Sequence, residues 1–265
     1  MNRRCRVALA GSISAASLLS GCALWRPTTV PIPTIAAPAG CAQRPDTLLV
    51  MLPGSYSRPE EFIAEGFVAD LRERRIAADA VLVDAHVGYY LDRSIVNRLR
   101  ADVIEPALAQ GYTKVWLVGI SIGAFGALLH AEERPQGIEG LVLLGPYLGK
   151  RAATEWIRAK GGLARWQAPP RPAGALDEDS IDDALWAWLQ PYAERPRRTP
   201  RPWLFLGYGV DDRFAASDRL LGAALPAEQV FRAAGGHDWA PWRSAWRAML
   251  ETLPIRRDAS CSGVR

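Results

Sequence analysis

The chain has 265 residues, 49% of them hydrophobic and 23% charged, a balance that fits a globular protein with a sizeable core and excludes a disordered or fibrous one. The formal charge of +4 is no nucleic-acid signature, because Arg3, Arg4 and Arg6 lie in an amino-terminal segment expected to be removed. Without those three, 29 of the 32 basic residues remain against 28 acidic ones, so no binding to DNA or RNA is expected.

Residues 1–21 have a basic start followed by an apolar run over 7–19 that is too short to span a bilayer, the pattern of a secretory signal peptide. The segment ends in Leu19-Ser20-Gly21-Cys22, which resembles the lipobox of bacterial lipoproteins. The resemblance implies that Cys22 is acylated, becomes the first mature residue and anchors an exported protein to the membrane. Ala23 stands where an aspartate would favour inner-membrane retention, so the resemblance implies the outer membrane, facing the periplasm. Residues 23–45 carry five prolines and little charge and read as an extended tether. At about 3.1 Å per residue such a tether holds a domain up to roughly 70 Å from its anchor. The folded domain is expected over 46–255, with 256–265 as a tail.

Within the domain, residues 47–52 (TLLVML) read as a buried strand running into Pro53-Gly54-Ser55-Tyr56. Residues 60–75 space Phe62, Ile63, Phe67, Val68 and Leu71 as an amphipathic helix. A strand over 80–83 ends in Asp84-Ala85-His86, and a longer helix over 92–110 is expected to be capped by Asp92 and bent or restarted near Pro106. The stretch 114–131 (KVWLVGISIGAFGALLHA) passes from an apolar strand to a helix through Gly119-Ile120-Ser121-Ile122-Gly123. Residues 138–144 form a fourth strand, closed by Gly145-Pro146. The rhythm breaks over 150–200, which is rich in Trp, Pro and Arg and holds one clear helix at 180–190. Arg195, Arg197, Arg198 and Arg201 alternate with prolines there, as in a solvated linker. Strands over 203–206 and 229–232 precede Gly209-Val210-Asp211-Asp212 and Gly235-Gly236-His237-Asp238-Trp239, and a helix over 241–253 closes the domain. Strands alternating with helices predict a mostly parallel sheet of about six strands with helices on both faces.

A G-x-S-x-G sequence on a strand-to-helix turn resembles the nucleophile elbow of the α/β-hydrolase superfamily. The order Ser, Asp, His along the chain, each after the end of a strand, extends that resemblance over residues 46–253. It implies an α/β-hydrolase fold with a cap at 150–200, Ser121 as nucleophile, His237 as base and no cofactor or metal. Asp212, third after Gly209, is the expected acid, with Asp211 as the alternative. The backbone N–H groups of Ser55 and Ile122 are the implied oxyanion donors, although Pro53 replaces the histidine that usually precedes the glycine. His86 competes as base but precedes the nucleophile in the chain. His130, in the elbow helix, reads as a packed or surface residue, and Asp238 as local structure.

The implied activity is hydrolysis of a carboxylic ester, from a small molecule or a lipid, through an acyl-enzyme. Gly-His-Asp-Trp with Trp242 three residues beyond resembles the last motif of the esterase D type of hydrolases and acyltransferases, so acyl transfer to an alcohol stays open. A non-catalytic lipoprotein that binds a partner on a hydrolase scaffold stays open as well. Cys5 leaves with the signal and Cys22 is used by lipid, so Cys41 and Cys261 are expected to pair.

Overall fold

Apolar runs without polar alternation need cover on both faces. The computed structural model, which describes residues 26–171, 177, 180–194 and 200–261, places those runs in one sheet. Its strands are β1 (Thr34–Ala37), β2 (Thr47–Leu52), β3 (Ala78–Val83), β4 (Lys114–Ile120), β5 (Ile138–Leu144), β6 (Trp203–Gly209) and β7 (Val230–Ala233). The order across the sheet is β1-β3-β2-β4-β5-β6-β7, and every neighbouring pair is parallel except β1 with β3. The helices are α1 (Glu61–Ala64), α2 (Phe67–Glu73), α3 (Gly88–Leu91), α4 (Ile95–Arg98), α5 (Glu105–Ala109), α6 (Ile122–Glu133), α7 (Arg151–Ala159), α8 (Ser180–Leu189), α9 (Ala215–Gly222) and α10 (Trp239–Met249).

Successive side chains of a strand point to opposite faces, and β2 feeds two cores in that way. Leu48, Val50 and Leu52 join one core with α4, α6, α8 and α9, while Leu49 and Met51 join the other with α1, α2 and α10. The second core is built on rings: Phe67 stacks on Trp246 at 5.4 Å and meets Phe62 edge-on at the same spacing. Among the described residues no helix is long and apolar enough to cross a membrane.

The structure corrects the sequence reading at the amino-terminal segment. Residues 23–45 were expected as a free tether, yet from Arg26 onward the chain is packed, and it supplies the seventh strand where about six were expected. An outer edge on β3 would leave a row of backbone donors and acceptors unpaired. The four residues between Pro33 and Pro38 have the N–H groups to cover it, and they pair from Thr34 opposite Val83 to Ala37 opposite Ala80. The prolines only flank this short edge strand, which is where residues without an N–H fit. Ile32 and Ala39 are buried beside it, Ile32 N–H donates to Asp102 Oδ2 at 2.8 Å, and Ala39 N–H donates to Asp79 Oδ1 at 2.6 Å. The expected tail is likewise held over its described part: Ala77 N–H donates to Arg256 O at 2.8 Å, and Cys41 and Cys261 form a disulfide.

Two expected helices are interrupted. Gly66, at φ 82°, separates α1 from α2 inside residues 60–75. Between α4 and α5 the turn widens to a π-helix over Leu99–Ile104, just ahead of Pro106, which has no N–H for the carbonyl four residues back. Asp92 is not the expected N-cap: it closes α3, Ser94 stands at the N-cap of α4, and the Asp92 carboxylate accepts the Ser94 N–H at 2.9 Å. The described part of 150–200 holds α7 as well as the expected helix at 180–190. Residues 1–25, including Cys5 and Cys22, together with Arg195, Arg197 and Arg198, lie outside the described residues.

Candidate active site

β4 ends at Ile120 and α6 begins at Ile122, so Ser121 must turn the chain alone. It does so at φ 55°, ψ −115°, a conformation that strains a residue with a side chain and persists only where the surroundings hold it. Its N–H donates to Leu144 O at 3.0 Å, and its carbonyl accepts the Tyr147 N–H at 3.1 Å. Gly119 and Gly123 make the turn possible by lacking Cβ. A Cβ on Gly119 would run into the backbone of Ala124, and one on Gly123 into the carbonyl oxygens of Leu52 and Pro53.

Three loops at the carboxyl edge of the sheet bring the expected side chains together. His237, between β7 and α10, lies with Nε2 2.9 Å from Ser121 Oγ and Nδ1 2.8 Å from Asp212 Oδ2. Asp212, on the loop after β6, has a fully buried carboxylate whose Oδ1 also accepts the Phe214 N–H at 2.8 Å. Asp211, the alternative acid, is exposed, and its N–H donates to Gly235 O at 3.0 Å. Asp238 caps α10 by accepting the Trp239 N–H at 2.7 Å. The imidazole is gripped edge to face by Phe214 and Trp242, with centroids 5.0 and 4.9 Å away.

Ser55 and Ile122 flank the same serine. A Cβ built on Gly54 would stand 3.7 Å from Ser121 Cβ, so the loop after β2 passes directly against the elbow. Ile122 opens α6, where backbone donors have no partner within the helix. Among the described residues neither N–H has an acceptor.

The other histidines are elsewhere. His86 is buried under the amino-terminal segment, its Nδ1 accepts the Gly88 N–H at 3.1 Å, and burial and the nearby Arg26 charge lower its pKa. His130 is packed inside α6, where burial lowers its pKa to about 4. Among the described residues no group of three histidine, cysteine or carboxylate side chains could hold a metal ion.

Three features of the site were not foreseen from sequence. Gly145, at φ 49°, faces the Asp212–His237 pair so closely that a Cβ would come 2.6 Å from Trp242 Nε1 and 2.9 Å from Asp212 Oδ2. The hint in the sequence was the Gly145-Pro146 pair closing a strand. Asp218, on α9, is fully buried with no hydrogen-bond partner on either oxygen among the described residues. Burial, then the charge on nearby Asp212, push its carboxyl well above the usual carboxylate range. Finally, Phe125, Tyr147 and Phe214 form a continuous row of half-buried rings, 5.4 and 5.5 Å apart, leading from α6 to His237.

No protein-family model and no curated protein matches the sequence. Solved structures do resemble it. An S-formylglutathione hydrolase from Staphylococcus aureus is 14% identical, with 79% of this chain and 81% of that one covered at a TM-score of 0.52. A hydrolase from Pseudomonas aeruginosa is 17% identical, with 83% and 93% covered at a TM-score of 0.52. A fluorophosphonate-binding serine hydrolase from Staphylococcus aureus is 14% identical, with 85% and 94% covered at a TM-score of 0.51. At these identities the likeness is one of fold, and the chain has the α/β-hydrolase fold that serine hydrolases and esterases share.

Proposed function

We propose that the protein is a serine hydrolase that cleaves carboxylic esters. The observation that carries this reading is the pair of contacts from Ser121 through His237 to a buried Asp212, at 2.9 and 2.8 Å. His237 Nε2 takes the proton of Ser121 Oγ as the oxygen bonds to the ester carbonyl carbon. Asp212 holds the ring proton on Nδ1 and stabilises the imidazolium. The tetrahedral oxyanion accepts from the N–H groups of Ser55 and Ile122. His237 then gives its proton to the departing alkoxide, which leaves as alcohol, and the acyl group stays on Ser121. Water attacks the acyl-enzyme with His237 again as base, releasing the acid and restoring the serine.

The test is labelling with a fluorophosphonate together with turnover of chromogenic esters of graded chain length. Wild type should be labelled and active, and Ser121→Ala neither. Labelling that survives the substitution refutes Ser121 as nucleophile.

We further propose that Cys22 is acylated and anchors the exported protein to the outer membrane, facing the periplasm. The support is the sequence Leu19-Ser20-Gly21-Cys22 after a signal-like segment. Cys22→Ser should leave the protein soluble or unprocessed, and a variant that stays with membranes as the wild type does refutes the anchor.

A further inference from the structure

β1 decides where the amino-terminal segment leaves the domain. Because it runs antiparallel to β3, the chain arrives at the carboxyl ends of the parallel strands and departs toward their amino ends. The residues before it stay at the arriving side. Arg26 pairs at 2.7 Å with Asp84, the residue after β3. Thr28 Oγ1 donates to Asp92 at 2.9 Å, and Thr29 N–H donates at 3.0 Å to the Tyr89 hydroxyl, which donates in turn to Thr29 O at 3.1 Å. Beyond β1, the Cys41–Cys261 disulfide pins the other end of this strap. In the sheet β3 neighbours β2 and β2 neighbours β4, so at about 4.8 Å per strand Asp84 lies roughly 10 Å along the catalytic edge from Ser121.

We propose that the catalytic edge faces the bilayer and that the substrate is an amphiphilic ester carried in that bilayer. This rests on the reading of Cys22 as an acyl anchor and of Ser121 as nucleophile. Three residues, Ala23, Leu24 and Trp25, separate Cys22 from the docked Arg26, and the four steps of chain between them span at most about 14 Å. An anchor that short, fixed to the edge that holds the serine, keeps the edge at the headgroup layer. The surface there suits such a layer. Tyr56 is 80% and Leu91 63% exposed, on the connections leaving β2 and β3, and Val30 on the strap and Val210 after β6 are exposed as well. Arg58 and Arg93, on the same two connections as Tyr56 and Leu91, are exposed, and among the described residues neither guanidinium is in a salt bridge, although the Arg58 backbone N–H donates to Glu61 Oε1 at 2.7 Å. Exposed apolar and tyrosine side chains flanked by charged ones, Arg58 and Arg93 with Glu60, Asp92 and Asp211, match the interfacial layer of a membrane.

The experiment uses the full chain, processed in a host that acylates Cys22 and reconstituted into vesicles of phosphatidylethanolamine and phosphatidylglycerol with a headgroup quencher. Bimane is placed by Leu91→Cys at the catalytic edge or by Lys114→Cys at the amino end of β4. Leu91→Cys should be quenched more strongly, and equal quenching or the reverse order overturns the orientation. A Gly/Ser spacer of about 20 residues inserted between Ala23 and Leu24 adds roughly 25 Å of mean reach. With it, hydrolysis of a long-chain ester held in the vesicles should fall about tenfold while a soluble short-chain ester is cleaved as before. Unchanged turnover of both esters overturns the membrane-borne substrate. The underlying readings fail differently: a Cys22→Ser chain that still sediments with vesicles refutes the anchor, and an acylated chain inert toward both esters refutes the hydrolase.

Discussion

Replacing Asp212 by asparagine separates the two tasks of its carboxylate. Oδ1 accepts the Phe214 N–H at 2.8 Å, and Oδ2 faces His237 Nδ1 at 2.8 Å. An amide has a single acceptor oxygen, and Phe214 N–H holds it, so the NH2 turns toward the imidazole. Nδ1 must then accept a hydrogen bond, which moves the ring proton to Nε2, the atom 2.9 Å from Ser121 Oγ. That nitrogen can no longer take the serine proton. By the triad precedent the wrong tautomer lowers turnover about 10⁴-fold, roughly 5.4 kcal/mol on the barrier. Asp211→Asn, at an exposed site away from the imidazole, should change turnover less than about twofold, since surface substitutions away from such features act weakly. Ester turnover at pH 7, corrected for folded protein by thermal melting, decides the matter. If Asp212→Asn stays within tenfold of wild type, or Asp211→Asn shows the larger loss, the tautomer argument is refuted.

Gly123→Ala places a Cβ against the carbonyl oxygens of Leu52 and Pro53, so the elbow must shift. We expect a destabilisation of about 1–3 kcal/mol and, from a displacement near 1 Å, a fall of roughly 10²-fold in the rate of fluorophosphonate labelling. Labelling at the wild-type rate would contradict the close approach. Replacing both Cys41 and Cys261 by serine opens a loop closed over 220 residues and should cost about 2–4 kcal/mol, lowering Tm by roughly 4–16 °C. A melting temperature unchanged under non-reducing conditions would count against a stabilising bridge. Asp218 titrates higher in the folded than in the unfolded chain. Below the ordinary aspartate range both states hold the proton; as pH rises, the unfolded chain ionises first and is favoured. Asp218→Asn should therefore raise Tm relative to wild type more at pH 7 than at pH 4, and an equal difference at both argues against a neutral buried carboxyl.

The sequence by itself determined the elements whose signals are local. The β2, β4, β5 and β6 runs are apolar without alternation because both faces are covered, and that property is written residue by residue. G-x-S-x-G on a strand-to-helix turn is equally local, since the two glycines answer a clash within one turn and with the adjacent strand end. Only the tertiary structure could decide what depends on a distant partner. Thr34–Ala37 has no strand signal of its own; it is ordered because β3 presents an unpaired edge. Asp211 and Asp212 are neighbours with the same chemistry, and which one meets His237 depends on how the loop after β6 packs against Gly209 and Gly235. Asp218 and Gly145 looked ordinary in the chain because their environment, a buried charge and a crowded imidazole, comes from other loops. The placing of the amino-terminal strap at the sheet edge that carries Ser121 was likewise invisible, because composition describes how a segment behaves alone and carries no record of the sheet edge that captures it.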